Sequence, residues 1–333
     1  MKSSELRKRH TKAKASDLSL QHTNMSESRA SDSVGLRRFL TYALLLLIIL
    51  TVTFNALAGV GVDPFNHRTG SVSDRFPTCF TPAGYTFSVW SVIYIALILI
   101  VIYSISLLFR KVADSDEAVW RLGGAVSPAF LIFYNLNLIA NIAWLFAWDR
   151  LLLTGSAVGL LLIAFTNIIA QAVACYSYAK AAPVLLERSR RDFWCGLLVV
   201  NGYALYCTWT FLASLLNLSI FLIHEVEIDD ELVCTVMLSA IPAVMLVYAL
   251  LEALYFVRSL NALVTPFFIY LWASIGIYMK DREDDSGPLY ELKIFNIALA
   301  AALCLQRVVV VFLRNRGNAI NRLNAAHVSS PKN

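Results

Sequence analysis

The chain has 333 residues, 58% of them hydrophobic and only 15% charged, with a mean hydropathy of +0.63, against about 45–50% apolar and about 25% charged in an ordinary soluble domain. A cytosolic enzyme is excluded, because the apolar residues run unbroken for about twenty residues or more, enough to cross a hydrocarbon core about 30 Å thick. The net charge of +5 is too small, and too confined to tails and short loops, for nucleic-acid binding; it reads as a signal of topology.

In chain order, residues 1–38 are serine-rich, carry Arg7-Lys8-Arg9, Lys12 and Lys14, and hold few large apolar residues. A disordered cytoplasmic tail is expected there. No apolar segment precedes a cleavage site, so the first span serves as an uncleaved anchor. Eight spans follow, at 39–60, 82–109, 125–148, 151–178, 194–223, 233–257, 260–279 and 290–313. Helices are the only option, since the runs lack period-2 alternation and an open sheet edge cannot sit in lipid. Only Asp149 and Arg150 separate the third span from the fourth, which predicts a tight helical hairpin.

Of the 28 Lys and Arg residues, 21 fall on the side of the N-terminal tail, five on the other side, and Lys293 and Arg307 within the last span. The positive-inside rule then places both termini in the cytoplasm. The segment 224–231 has five acids and no Lys or Arg and belongs outside. The six cysteines show no CxxC spacing and five lie in or beside apolar runs, so neither a zinc site nor a disulfide framework is expected. The five histidines are scattered, and no metal ligand set is predicted.

Polar and aromatic residues inside spans mark seams or ligand sites. The third span holds Asn135, Asn137, Asn141, Trp144 and Trp148. In the fifth, Tyr206, Trp209, Ala213, Leu216 and Asn217 form one helical stripe. Trp90, Trp144 and Trp209 all fall in the outer half of the bilayer, so three helices aim an indole toward one cavity. The plainer alternative makes the tryptophans belt anchors or core packing and the asparagines interhelical glue. Gly155-x-x-x-Gly159 is expected to serve helix packing. Glu252 and Arg307 each lie about 10 Å inside the cytoplasmic edge, which predicts a structural salt bridge, with a proton-coupled carboxylate as the alternative. Pro242 and Pro266 mark bends.

The stretch Phe80-Thr81-Pro82-Ala83-Gly84-Tyr85-Thr86-Phe87-Ser88-Val89-Trp90-Ser91-Val92-Ile93-Tyr94 resembles the start of the second helix in the translocator protein family, also called tryptophan-rich sensory proteins (TspO/MBR). Asn141-Ile142-Ala143-Trp144 is similar to that family's third-helix motif, and Tyr206-Cys207-Thr208-Trp209 through Ala213 to Leu216-Asn217 to its fifth. The resemblance covers 39–223. It implies an all-α integral membrane fold: a five-helix bundle at 39–223, here followed by three added helices at 224–313 and a cytoplasmic tail at 314–333.

The resemblance further implies a cavity, lidded by the first loop, for porphyrins, haem and other flat apolar molecules. Trp90 and Trp209 would flank the ligand; Asn141, Trp144, Ala213, Leu216 and Asn217 would line or border the pocket. Trp120 and Trp272 are expected to stand apart from it. The chain departs from the pattern at Ser88, where the family has Gly-Pro, and at Ser156, where it commonly has tryptophan. Leu218 to His224 lacks the aromatic and basic residues of the sterol-associated tail, so sterol binding there is not expected.

These readings point to a membrane protein that binds, translocates or senses a hydrophobic planar molecule such as a tetrapyrrole. The alternative is a secondary transporter using Glu252, although no internal repeat supports it. No catalytic motif is present, so an enzyme is not expected, and no cofactor is implied beyond a porphyrin or haem ligand. The expected partners are the lipid bilayer and the ligand, and the apolar surface also allows a homo-oligomer. The lack of a transit signal favours a plasma membrane or endomembrane over mitochondria.

Overall fold

In lipid the backbone must hydrogen-bond to itself, so long apolar runs fold as helices. The computed structural model describes residues 34–255, 263–280 and 287–329, with side chains from 253 to 255 and beyond 313 left aside. Its helices are α1 (Val34–Val60), α2 (Thr69–Arg75), α3 (Val89–Leu107, entered through a 3-10 turn at Gly84–Ser88), α4 (Pro128–Asp149), α5 (Leu153–Arg188), α6 (Arg190–His224), α7 (Asp230–Tyr255), α8 (Thr265–Lys280) and α9 (Pro288–Ser329). Most of the tail expected to be disordered, residues 1–33, lies outside the described residues.

Among the described residues, seven segments are long and apolar enough to cross a membrane, where eight are expected from the sequence. The exception is α8. Its 16 residues extend about 24 Å, short of a core about 30 Å thick. Pro266 stands in its first turn, opening the helix rather than bending it. The start of α8 is submerged: Val264 N–H donates to Asn201 Oδ1 (3.0 Å), and the Thr265 hydroxyl donates to the Asn201 carbonyl (2.8 Å). Asn201 lies about 10 Å along α6 from Trp194. Non-helical backbone at that depth needs protein partners, and Arg307 of α9 supplies another by donating Nε–H to the Leu263 carbonyl (2.9 Å). Arg307 also pairs with Glu252 of α7. The expected ion pair is therefore formed, and it braces a helix start as well.

The helices α4, α5 and α6 pack most extensively, and asparagines fix their register. Asn135 donates to the Leu40 carbonyl of α1 (3.1 Å), Asn137 to the Ile163 carbonyl of α5 (2.8 Å), and Asn167 of α5 to the Thr210 hydroxyl of α6 (2.9 Å). The hairpin between α4 and α5 is as tight as expected, turning through Leu151 at φ 57°. Gly155 and Gly159 face α4: a Cβ at Gly159 would sit 3.4 Å from Trp144 Cβ, so the small pair serves packing within the chain. The segment expected as a loop at 179–193 is helical apart from Ser189, as its Ala-, Leu- and Glu-containing run favours. There Asp192, 1% exposed, pairs with Arg110 and accepts from the Tyr103 hydroxyl (3.0 Å), tying α3 to α6.

The bundle thus has a basic end, bearing Arg110, Arg188 and Arg190, and an acidic end, bearing 224–231. At the acidic end Cys79 and Cys234 form a disulfide, with Cα atoms 6.2 Å apart and a separation of 155 positions in sequence. This corrects the expectation of no disulfide. A pair so distant along the chain leaves no spacing motif to read, and apolar flanks conceal a half-cystine as readily as a free thiol.

Candidate ligand-binding site

The α6 stripe Trp209, Ala213, Leu216 sets a small residue between two large ones, which leaves an indentation. The segment leading into α3 faces it with Phe80, Pro82 and Phe87, and α8 forms the third side with Ala273 and Ile277; with Leu212 these residues line a small apolar cavity. Phe87 meets Trp209 edge-on, centroids 6.0 Å apart at 90°, and the 3-10 turn holds it there. Helix α8 can come this close because residue 276 is glycine. A Cβ there would overlap the Thr86 side chain, whereas the bare backbone lets the Gly276 carbonyl accept from Ala83 N–H (2.9 Å). Trp272 Nε1–H adds a bond to the Thr86 carbonyl (2.9 Å).

The lining is apolar, and one of its residues carries an unpaired donor. The Trp209 indole N–H is buried, the residue being 4% exposed, and has no acceptor among the described residues. An unpaired buried donor costs about 1–3 kcal/mol. The Thr86 hydroxyl, beside Phe87, is also buried and unpaired.

Three of the residues singled out from sequence therefore line the cavity: Trp209, Ala213 and Leu216. Trp90 stands beside it, its ring 6.1 Å from Trp209 at 86° and stacked on Tyr94 at 5.5 Å and 18°. The two indoles meet as a corner, not as parallel faces. Asn141, Trp144 and Asn217 are not among the lining residues. Trp144 Nε1–H donates to Asn217 Oδ1 (3.2 Å), while Asn141 accepts from Asn55 Nδ2 (2.9 Å) and donates to the Tyr206 hydroxyl (3.3 Å). These are interhelical bonds. Trp272, expected to stand apart, holds α8 against the cavity's own wall.

Phe80, Phe87, Ala273 and Ile277, with Pro82 and Leu212, are the lining residues that sequence reasoning missed. The first two lie inside the motif that carries the resemblance. The i, i+4 spacing of Ala273 and Ile277 shows a shared helix face, but nothing in the sequence says what that face meets.

Residues 61–81 are pinned over the acidic end. The buried Asp149 carboxylate accepts from the backbone N–H groups of Asn66 and His67 (both 2.8 Å) and from the Asn66 amide (3.2 Å). Trp148 Nε1–H donates to the Thr69 carbonyl (3.1 Å), and Phe65 stacks on Phe146 at 5.1 Å. The loop's last turn carries Phe80 into the cavity wall.

A family model described as TSPO-like protein matches residues 41–312. The match runs from α1 into α9 and takes in α7, α8 and α9 as well as the five apolar helices α1, α3, α4, α5 and α6. No curated protein and no solved structure matches the chain.

Proposed function

The chain belongs to the TSPO-like protein family, and from that premise we propose that it binds a hydrophobic small molecule carrying a hydrogen-bond acceptor in the cavity between α6, α8 and the start of α3. The observation that carries this is the buried N–H of Trp209, a residue of the apolar lining, which has no partner among the described residues. Ligand sites are mostly apolar with a few polar groups that fix orientation, and an acceptor on the ligand would remove the desolvation cost of that donor. The reading needs no catalytic group, and Glu252 enters it as a brace rather than as a proton carrier.

The chain is an integral multi-pass membrane protein. We propose that it passes eight times, α8 included, with both termini cytoplasmic and the disulfide on the opposite, oxidising side of a plasma membrane or endomembrane. The basic asymmetry and the preference of disulfides for non-cytosolic compartments support the same orientation. Tags at the two ends should then respond alike to protease on sealed vesicles.

Binding is tested with full-length protein in nanodiscs, by quenching of tryptophan fluorescence against empty nanodiscs. The probes are 2-acetylnaphthalene and 2-ethylnaphthalene, near-isosteres with and without a carbonyl. The wild type should prefer the ketone by about 2- to 12-fold, the equivalent of one net hydrogen bond, and Trp209→Phe should abolish that preference. An equal preference in the folded variant would defeat the assignment.

A further inference from the structure

We infer that the basic end of the bundle carries a second site, for the phosphate group of an anionic phospholipid, built from Arg37, Arg110 and Arg121. The inference uses none of the residues that line the apolar cavity and stands or falls independently of it.

A guanidinium stays protonated in any protein setting, and a charge taken out of water is costly unless it is paired. Arg37, near the start of α1, is only 5% exposed. Its Nη1 donates to the Val126 carbonyl (3.0 Å), and the guanidinium lies over the Trp120 ring, 5.1 Å from the centroid. Its Nε is buried without an acceptor, and no carboxylate pairs with it, among the described residues.

Two more arginines gather at the same place. Trp120 sits in a 3-10 turn at Val119–Leu122, and Arg121 lies 5.5 Å from the same ring. Val119 N–H donates to the Arg110 carbonyl (3.1 Å), which brings Arg110 alongside. Asp192 pairs with one nitrogen of Arg110, while Nη1 is buried and unpaired among the described residues. The nearby acids are already taken, Glu117 by Arg188 and Asp116 by Lys111. Three guanidiniums thus share one carboxylate, and the positive end of α4, which begins two residues after Val126, adds to the surplus.

The surplus also sits beside open apolar surface. Leu36, Phe39 and Phe109, each within two residues of Arg37 or Arg110, are 46%, 68% and 72% exposed. A phospholipid matches both features at once: its acyl chains cover the apolar side chains, and its phosphate oxygens accept from guanidiniums, whose planar fork suits them. Basic pockets at the membrane surface hold lipid headgroups by this chemistry. Free phosphate offers the same oxygens without the chains.

The test follows lipid retained by the full chain in detergent by native mass spectrometry, at constant ionic strength. Dioleoylphosphatidate and dioleoylphosphatidylcholine are the probes, with the same acyl chains and different net headgroup charge. The wild type should retain phosphatidate about tenfold more tightly or better. Arg37→Met should remain folded, since it removes a charge that lacks a counter-ion, and should cut the preference at least about threefold. Arg121→Gln, at an exposed residue, should do the same, whereas Arg188→Gln, which removes an equal charge from the same end outside the cluster, should not. Equal retention of the two lipids by the wild type would overturn the inference. So would a preference that falls as far in Arg188→Gln as in the other variants, which would mean diffuse attraction to the basic end. An Arg37→Met chain that does not fold, together with an unmoved preference in Arg121→Gln, would make Arg37 structural and overturn it as well. Inorganic phosphate that displaces phosphatidate as fully as Arg37→Met does would assign the site to the free anion and remove the lipid.

Discussion

The last three helices meet the first five along two seams of opposite chemistry. Toward the basic end, Asn201 of α6 bonds Val264 and Thr265 across the boundary, and just behind it, within the last three helices, Arg307 bonds both Leu263 and Glu252. Toward the acidic end two bonds, Ala83 to Gly276 and Trp272 to Thr86, cross beside an apolar cavity, and the Trp209 N–H has no partner among the described residues. The difference separates architecture from site. Polar groups inside a membrane are costly, so those that hold helices together are bonded within the protein.

Removing a brace from the polar seam should have the largest effect. Arg307→Met leaves Glu252 buried without its partner and also takes the donor from the Leu263 carbonyl, and the loss of stability should reach about 3–5 kcal/mol. Glu252→Gln should cost less, since the Leu263 bond survives. The double variant should be more stable than the sum of the single losses predicts. Denaturant or thermal unfolding in detergent measures all three, and strictly additive losses would mean that the pair is not coupled.

The disulfide comes next, because it links the segment carrying Phe80 to α7 at the apolar seam. Cys79→Ser, or reduction of the native chain, should lower stability by about 2–4 kcal/mol. The effect of reduction should vanish in the Cys79→Ser, Cys234→Ser double variant. A wild-type chain equally stable with and without reductant would remove the link from the account. Asn201→Ala deletes the acceptor of Val264 N–H at the polar seam and should cost about 1 kcal/mol, with ketone affinity changed no more than about threefold because Gly276 and Trp272 still seat α8. A loss of binding without a loss of stability would place Asn201 at the site instead.

The comparison also separates what the sequence makes legible from what it hides. Apolar run length yields seven full spans, and the span at 260–279 could not be recognised as a short helix. Its polar start is satisfied by Asn201 and Arg307, residues distant in sequence, while its composition matches that of a full span. Charge and depth alone bring Glu252 and Arg307 together, since two buried charges on neighbouring helices need each other. The α6 stripe is legible for the same kind of reason: helical period places Trp209, Ala213 and Leu216 on one face. Period does not say which neighbour a face meets, so Asn141, Trp144 and Asn217 belong to interhelical bonds outside the cavity lining, and Ala273 and Ile277 enter unannounced.

The smallest expected effect belongs to Trp272, which joins the two themes because it is a polar bond at the apolar seam. Its indole N–H donates to the Thr86 carbonyl and its ring meets Tyr85 edge-on at 5.7 Å. It is not among the residues that line the cavity. Trp272→Phe keeps an aromatic ring and deletes only the N–H, so it should cost about 0.5–1.5 kcal/mol of stability. Ketone affinity should fall no more than about threefold, which corresponds to well under 1 kcal/mol, because Gly276 and Asn201 still seat α8. If α8 is held at several points, losing one bond leaves that wall of the cavity in place; a loss of ketone affinity beyond about tenfold in folded Trp272→Phe would mean that this single bond holds α8 against the start of α3.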